Sequence, residues 1–546
     1  MAFPLHFLRS SRRTTFFIAA AAAATSASLG CGSGGSDTST GTFSSGGAGQ
    51  SSMSTGTGGD IFTFSSSSGS GGSMSSSSGA GGNATCDGNP TTGQVKWAVQ
   101  NKSDSGQFGL SVASDAAGNV YVTGSYSGTL TLGGKTADVQ NASKALFVAK
   151  LGADGAPQWV RGFAAVKTGL PDALASGRAI TVDGQGNVYV LGDFTGQVTF
   201  GATTLQCAGN FFGDVFLLKL DAAGAPVQVA QIGDPLATTP ASGGNVQTAR
   251  GIAVKSTPMG DQIAVVGDSQ GTLDIGGGKA AVGGGVPAAF LAVFFASSLQ
   301  PRYLLQLGDG TVAQSTHGVA WDKNNDVVIT GNTKGAITFP GAGTLTPAGT
   351  QAAFVAKIKG DGSATTWAKL HGSGTAGGEG VAVDGSGDVF ITGDHQGDID
   401  FGGGVLGNAF GANVYVAKLD GAGNHVWSRS YGDSTSQHVH GIVVDSGGRP
   451  VLTGEYSGKL DFGGGAISST GSDDVFVAKL DTQGCQVWAQ SFGDAKQQGS
   501  KGIAIDGAGN PVITGNIQGT VMFGATTLAA DAADLGGDLF VTKLAP

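Results

Sequence analysis

Charge is scarce in this chain: Asp, Glu, Lys and Arg make up 12% of its 546 residues, about half the usual share. The little there is leans acidic, with 29 Lys and Arg against 39 Asp and Glu. A surface so poor in cations has no basic stripe to neutralise phosphates, which argues against nucleic acid or an anionic membrane surface as a partner. Cysteine is rarer still, four in all. No CxxC or HExxH spacing occurs, so no motif of that kind announces a metal or redox centre. The apolar run Phe16–Ala24 falls short of the ~20 residues that cross a bilayer.

Glycine is what the chain has in excess, 99 residues, alongside 40% hydrophobic residues. The glycines follow no strict G-X-Y period, which excludes collagen. A chain this apolar can bury a large core and still needs many turns, the mark of an all-β repeat protein.

The N-terminus reads as a targeting segment over residues 1–31. Arg9, Arg12 and Arg13 form a basic region, Phe16–Ala24 an apolar one, and small residues lead to Cys31. This is a secretory signal pattern, not a transmembrane helix. "SLGC" from Ser28 resembles a bacterial lipobox, with Ser28 where an aliphatic residue is usual; Cys31 is then the lipidated mature N-terminus, the alternative being a plain cleaved signal. Arg12-Arg13 is the start of a twin-arginine pattern that Thr14-Thr15 does not continue. Cleavage leaves 26 cationic against 39 acidic side chains. Residues 32–92 form a Gly/Ser-rich tether. Gly32–Thr85 is almost all Gly, Ser, Thr and Ala, which cannot bury apolar area and is expected to be disordered, with a reach of roughly 40 Å.

Residues 93–546 repeat. A Gly recurs at 124, 192, 267, 331, 393, 454 and 515, another follows four residues later, and four further on stands Leu132, Phe200, Ile275, Phe339, Phe401, Phe462 or Phe523. Each copy carries four strand-like runs. In the last, "GIAID" alternates, Asp506-Gly-Ala-Gly-Asn510 turns, "PVITG" is the second strand and "DLFVTKL" the third. The fourth usually carries Trp: Trp159, Trp367, Trp427 and Trp488, with Val229 and Tyr303 in copies two and three. Four antiparallel strands per period predict one propeller blade per repeat, hence an all-β, seven-bladed β-propeller. The final copy lacks a fourth strand, and "VKWAV" from Val95 supplies one with Trp97 in place. An N-terminal strand is therefore expected to complete the C-terminal blade and close the ring.

The pattern GxAVDxxGNVYVTGxxxGxxxF … DxFVAKLDxxGxxxW, from Val95 to Pro546, resembles the bacterial seven-bladed propeller repeat abbreviated SBBP, and in outline NHL-type propellers. Copy three departs most, with Lys255 at the turn Asp and Phe295 at the Lys of "FVAK". The resemblance implies the fold and says little about function, since propellers host many.

Residues present in nearly every copy are read as scaffold. The turn Asp (Asp115, Asp183, Asp322, Asp384, Asp445, Asp506) should accept backbone N–H bonds. The third-strand Lys (Lys150, Lys219, Lys357, Lys418, Lys479, Lys543) should satisfy a partner between blades. Function is sought where copies differ. The residue just before the first strand reads Leu110, Arg178, Arg250, His317, Glu379, His440, Lys501. The end of the neighbouring second strand reads Ser125, Asp193, Asp268, Asn332, Asp394, Glu455, Asn516. The first row is a candidate ligand ring at one channel mouth. The complementary second row also allows cross-strand pairs, with Glu379–Asp394 the one like-charged case. His438 and His440, with Asp394 and His395, form a possible metal set set against plain loop histidines. The Asp-rich turns lack the spacing of an EF-hand loop, so no cofactor is expected, with calcium or another divalent cation the open exception. Of the cysteines beyond Cys31, Cys86 and Cys485 are the plausible disulfide and Cys207 is left over.

These readings lead to an exported protein, an outer-membrane or cell-surface lipoprotein or a secreted one. It is expected to be monomeric, to touch membrane only through a lipid anchor, and to bind protein or glycan at the cell surface without catalysis. An extracellular polysaccharide or peptide hydrolase or lyase at the channel mouth, and an envelope scaffold, are the alternatives.

Overall fold

The computed structural model describes residues 93–101, 105–138, 144–166, 173–207, 213–233, 246–282, 284–308, 310–407, 411–530 and 537–546. The signal, Cys31, the tether and Cys86 lie outside them. Every regular element among the described residues is a β-strand.

The strands form seven antiparallel blades. Their first strands are Gln107–Ser114, Ala175–Val182, Val246–Thr257, Gln314–Trp321, the broken pair Thr375–Ala376 and Gly380–Val383, Gln437–Val444 and Gln498–Ile505. In each blade the first strand pairs with the second, the second with the third and the third with the fourth. First strands of successive blades touch, and the last touches the first, so they form the inner ring. Blade 7 closes as expected: Val95–Gln100 pairs antiparallel with Asp538–Leu544, Trp97 opposite Lys543 and Gln100 opposite Phe540. The product is a seven-bladed β-propeller.

One element exceeds the expectation. The second-to-third connection is not a plain loop but contains a two-stranded hairpin in every blade, such as Thr520–Phe523 with Thr526–Ala529. Its repeated apolar residue is buried, and it seals a blade junction: Phe200 packs on Phe163, Phe462 on Tyr431 and Phe523 on Phe492, each from the preceding blade's fourth strand.

The repeated residues hold blade to blade. The Asp445 carboxylate accepts from Gly447 and Arg449 N–H and meets Lys479 Nζ at 3.0 Å. Asp322 with Lys357 and Asp506 with Lys543 repeat this at 2.6 and 2.8 Å. Lys357 and Lys543 also donate to backbone carbonyls of the next blade, Gly421 and Gly118. In blades 1 and 2 a tyrosine takes the carboxylate instead, Tyr121 on Asp115 and Tyr189 on Asp183, and the Lys lies over its ring. The Trp column is a second latch. Trp367 donates its indole N–H to Gly421 O of the next blade and its ring lies under Gly423 (φ +83°), where a Cβ would sit 2.8 Å from the ring. Trp97 under Gly155, Trp159 under Gly224 and Trp427 under Gly484 repeat it, and Trp488 under Gly93 repeats the ring contact.

Candidate functional site

In six of the seven blades the site residue of the inner ring is the extra residue of a β-bulge. The register of first against second strand slips between Gly109 and Ser111, Gly177 and Ala179, Ala249 and Gly251, Thr316 and Gly318, Val439 and Gly441, and Ser500 and Gly502. The residues skipped are Leu110, Arg178, Arg250, His317, His440 and Lys501. In blade 5 the break between Ala376 and Gly380 contains Glu379. A bulged residue is released from strand alternation and its side chain is re-aimed. The repeated second-strand glycine makes room for it. A methyl at Gly331 would strike the carbonyl oxygen of Ser315, two residues before His317, and the same relation holds at Gly124, Gly192, Gly267, Gly393, Gly454 and Gly515.

The structure joins these side chains into networks. Arg178 Nε is 2.5 Å from Asp193 Oδ2, and Arg250 Nη2 is 3.0 Å from Asp268 Oδ2, both within a blade. His440 Nε2 is 3.3 Å from Glu455 Oε1 in its own blade. Two partners differ from the in-blade pairing. His317 Nδ1 reaches Glu379 Oε2 of blade 5 at 2.8 Å, and Lys501 Nζ reaches Glu455 Oε2 of blade 6 at 2.9 Å. The like-charged Glu379 and Asp394 each receive an imidazole from a neighbouring blade, Asp394 from His438 at 2.7 Å. Asp394 also accepts from Val439 N–H, as Asp193 does from Ala249 and Asp268 from Thr316. These carboxylates thus join blades as well as charges.

Burial and pairing compete at each carboxyl. At Asp193 burial outweighs Arg178 and raises its pKa. At Asp394 burial likewise outweighs His438, with Glu379's charge adding to the rise. At Glu379 burial pushes upward, but the bond and charge of His317 prevail and the pKa falls. At Glu455 burial is overcome by His440 and Lys501, which bring it to about 2. The bond to Asp394 raises His438.

His395 does not join the mouth. It is 2% exposed, with Nε2 2.7 Å from Ser430 Oγ and Nδ1 2.9 Å from Gly397 O, because it points to the opposite face of its strand from Asp394. His438 and His440 serve different carboxylates. Among the described residues no group of three His, Cys, Asp or Glu converges on a metal position. Cys485 is disulfide-bonded and Cys207 is a free, buried thiol raised to about 12 by burial; the proposed partner Cys86 lies outside the described residues. Gly267-Asp-Ser-Gln-Gly271 has G-x-S-x-G spacing, but Ser269 is fully buried within a strand, not raised on a strand-to-helix elbow. The bulges escaped sequence reasoning; the glycine column facing them was the available signal.

The architecture is that of a β-propeller with a polar, bulge-displayed mouth. No protein-family model and no curated protein matches the chain. Solved structures similar to it include the Neurospora crassa Pan2 WD40 domain, 9% identical over 80% of this chain and 89% of that one, TM-score 0.38. A quinohemoprotein alcohol dehydrogenase from Pseudomonas putida HK5 is 10% identical over 84% and 78%, TM-score 0.42. The Agrobacterium tumefaciens calcium-binding protein regucalcin is 10% identical over 67% and 89%, TM-score 0.31. None of these bears on what the mouth binds.

Proposed function

We propose that this chain is an exported, lipid-anchored, monomeric binding module that holds a polar ligand, glycan or protein, at the bulge-lined mouth of its propeller. One observation carries the reading. The side chains that repeat are used up in latching blades, while the side chains that vary are displayed by six bulges and the blade 5 strand break around one opening. Binding is favoured over hydrolysis because Asp193, Asp268, Glu379, Asp394 and Glu455 are each held by a cation or an imidazole. Among the described residues of the mouth, that leaves no carboxyl pair poised as acid and base. The SBBP-type resemblance and the basic–apolar–Cys31 order of the N-terminus support export to the envelope. Cys31→Ser should release the protein from membranes, or block its processing, in fractionation; unchanged partitioning removes the anchor. The binding reading is tested by a glycan-array and pull-down screen of the full chain against Arg178→Gln/Arg250→Gln. Hits should weaken by about tenfold or more in variants that circular dichroism shows to be folded, and hits indifferent to both changes move the site elsewhere.

A further inference from the structure

The hydrogen-bond inventory of the mouth assigns its protons. Asp268, beside Arg250, is a carboxylate and only accepts. Ser315 Oγ lies 2.6 Å from Asp268 Oδ1 and spends its single proton there. His317 Nε2 lies 2.9 Å from the same Oγ, so it must donate to it. His317 Nδ1 faces the Glu379 carboxylate at 2.8 Å and must donate as well. The chain Asp268–Ser315–His317–Glu379, across blades 3, 4 and 5, is complete only when the imidazole carries both protons.

His440 obeys the opposite logic. Its Nε2 lies 3.1 Å from Lys501 Nζ and 3.3 Å from Glu455 Oε1, while Lys501 Nζ lies 2.9 Å from Glu455 Oε2. An ammonium has only donors, so Nε2 faces it as an acceptor while the ring is neutral. With a proton on Nε2, Glu455 is shared by two cations, His440 at Oε1 and Lys501 at Oε2. Their mutual repulsion makes Lys501, on its flexible four-carbon stem, the one that can exchange onto an incoming carboxylate.

We propose that the mouth is a proton-gated site for an acidic polysaccharide: protonation of His317, His438 and His440 completes the histidine–carboxylate pairs and frees Lys501 to meet the uronate carboxylates of the ligand. This deepens the binding reading above and rests on it. With neutral imidazoles, Lys144, Arg178, Arg250 and Lys501 face five carboxylates; three protonated imidazoles turn four cations into seven. The wider field has the same parts: Lys144 faces Arg178, Arg250 acts on Asp193 and Glu379, and Glu455 and Asp473 act on His438. Glu455, brought to about 2 against its burial by His440 and Lys501, stays ionised over the range of the test. Arg178 and Arg250 keep 44% and 43% of their side chains exposed, and a guanidinium fork matches a carboxylate. The exposed large hydrophobics, Met259 and Met522 the most open, include none of the bulge residues or their partners. Among the described bulge residues only Leu110 is apolar, and it is half-buried, which falls short of the apolar centre around which a protein interface is built.

The test is binding of polygalacturonate, with uncharged dextran and poly-glutamate as alternatives, to the full chain at about pH 5 and about pH 7.5 and fixed ionic strength. Polygalacturonate should bind about tenfold or more tighter at the lower pH, and dextran not at all. His440→Gln and His317→Gln should each shrink that ratio, and Lys501→Gln should lower acid affinity alone; circular dichroism melts confirm that each variant is folded. Polygalacturonate binding equal at both pH values, preference for poly-glutamate, or no polygalacturonate binding overturns the gate. If ligands from the array screen still depend on Arg178 and Arg250, the binding reading survives that failure; if they do not, both fall.

Discussion

His371 shows how one side chain can carry the pH response of a scaffold. It ends the fourth strand of blade 4, where other blades place Phe163, Tyr431 or Phe492, and like them it packs on the next hairpin's Phe, here Phe401 at 4.4 Å between ring centres. It is 6% exposed, and its Nδ1–H donates to Asp400 O at 2.8 Å. Burial brings its pKa from 6.5 to about 4. The unfolded chain therefore binds a proton at higher pH than the native one. The protonation cost of His371 is absent well above pH 6.5, and stability falls as pH drops from there toward 4, by about 3 kcal/mol for this group. His371→Phe should abolish that part of the slope and leave stability at pH 7 little changed. Urea melts at pH 7 and pH 4.5 read it, and an acid loss as large in the variant as in the wild type refutes it. His438 works with the reverse sign: its pKa is raised by Asp394, so its contribution is present at low pH and is lost as pH rises through the folded value. Taking the difference between variant and wild type removes that term.

At the scale of the element, bulge and glycine form one device. An extra residue in the first strand throws a side chain into the mouth and drives a carbonyl toward the second strand, where only glycine leaves room. Gly515→Ala should therefore destabilise blade 7 by about 2 kcal/mol or more through collision with the Gly499 carbonyl. Gly385→Ala is the control, since nothing lies within 4 Å of its added Cβ; it should stay within about 0.5 kcal/mol of wild type. Equal losses in thermal melts would mean that the glycine column is not shaped by the bulges. The Trp latch predicts the same order of cost for Gly423→Ala, which puts a methyl 2.8 Å from Trp367 at a φ of +83°.

For the whole molecule the decisive feature is closure. Val95–Gln100 gives Asp538–Leu544 its outer partner, and Trp97 passes its latch on to Gly155 and Ala153 O of blade 1. Deleting residues up to Ala98 should lower the melting temperature and expose the last strand to protease. The same deletion removes every cysteine that could pair with Cys485, so full-length protein under reductant is the comparison. If the truncated chain is no less stable than the reduced full chain, the closing strand contributes nothing and the disulfide alone staples the ring. A ring broken at one junction also loses the fixed spacing of its mouth, so the truncation should weaken any ligand that spans blades 6, 7 and 1.

The sequence by itself determined the period, the blade count, the closing strand and the two scaffold columns. Each of these is written in local chemistry: strand alternation, turn Asp-Gly pairs and a Trp at a constant distance. It also marked the mouth, because Leu110, Arg178, Arg250, His317, Glu379, His440 and Lys501 stand in one column. That Asp394 and His395 face opposite ways was legible too, from a period of two. Only the tertiary structure decided who pairs with whom. His317 takes Glu379, and Lys501 takes Glu455, because neighbouring blades bring these groups closer than the strand beside them does. The hairpins over each junction were likewise beyond a reading that saw only glycine punctuation. An ion pair is set by distance, and distances between residues some 46 to 62 positions apart come from the packing of blades.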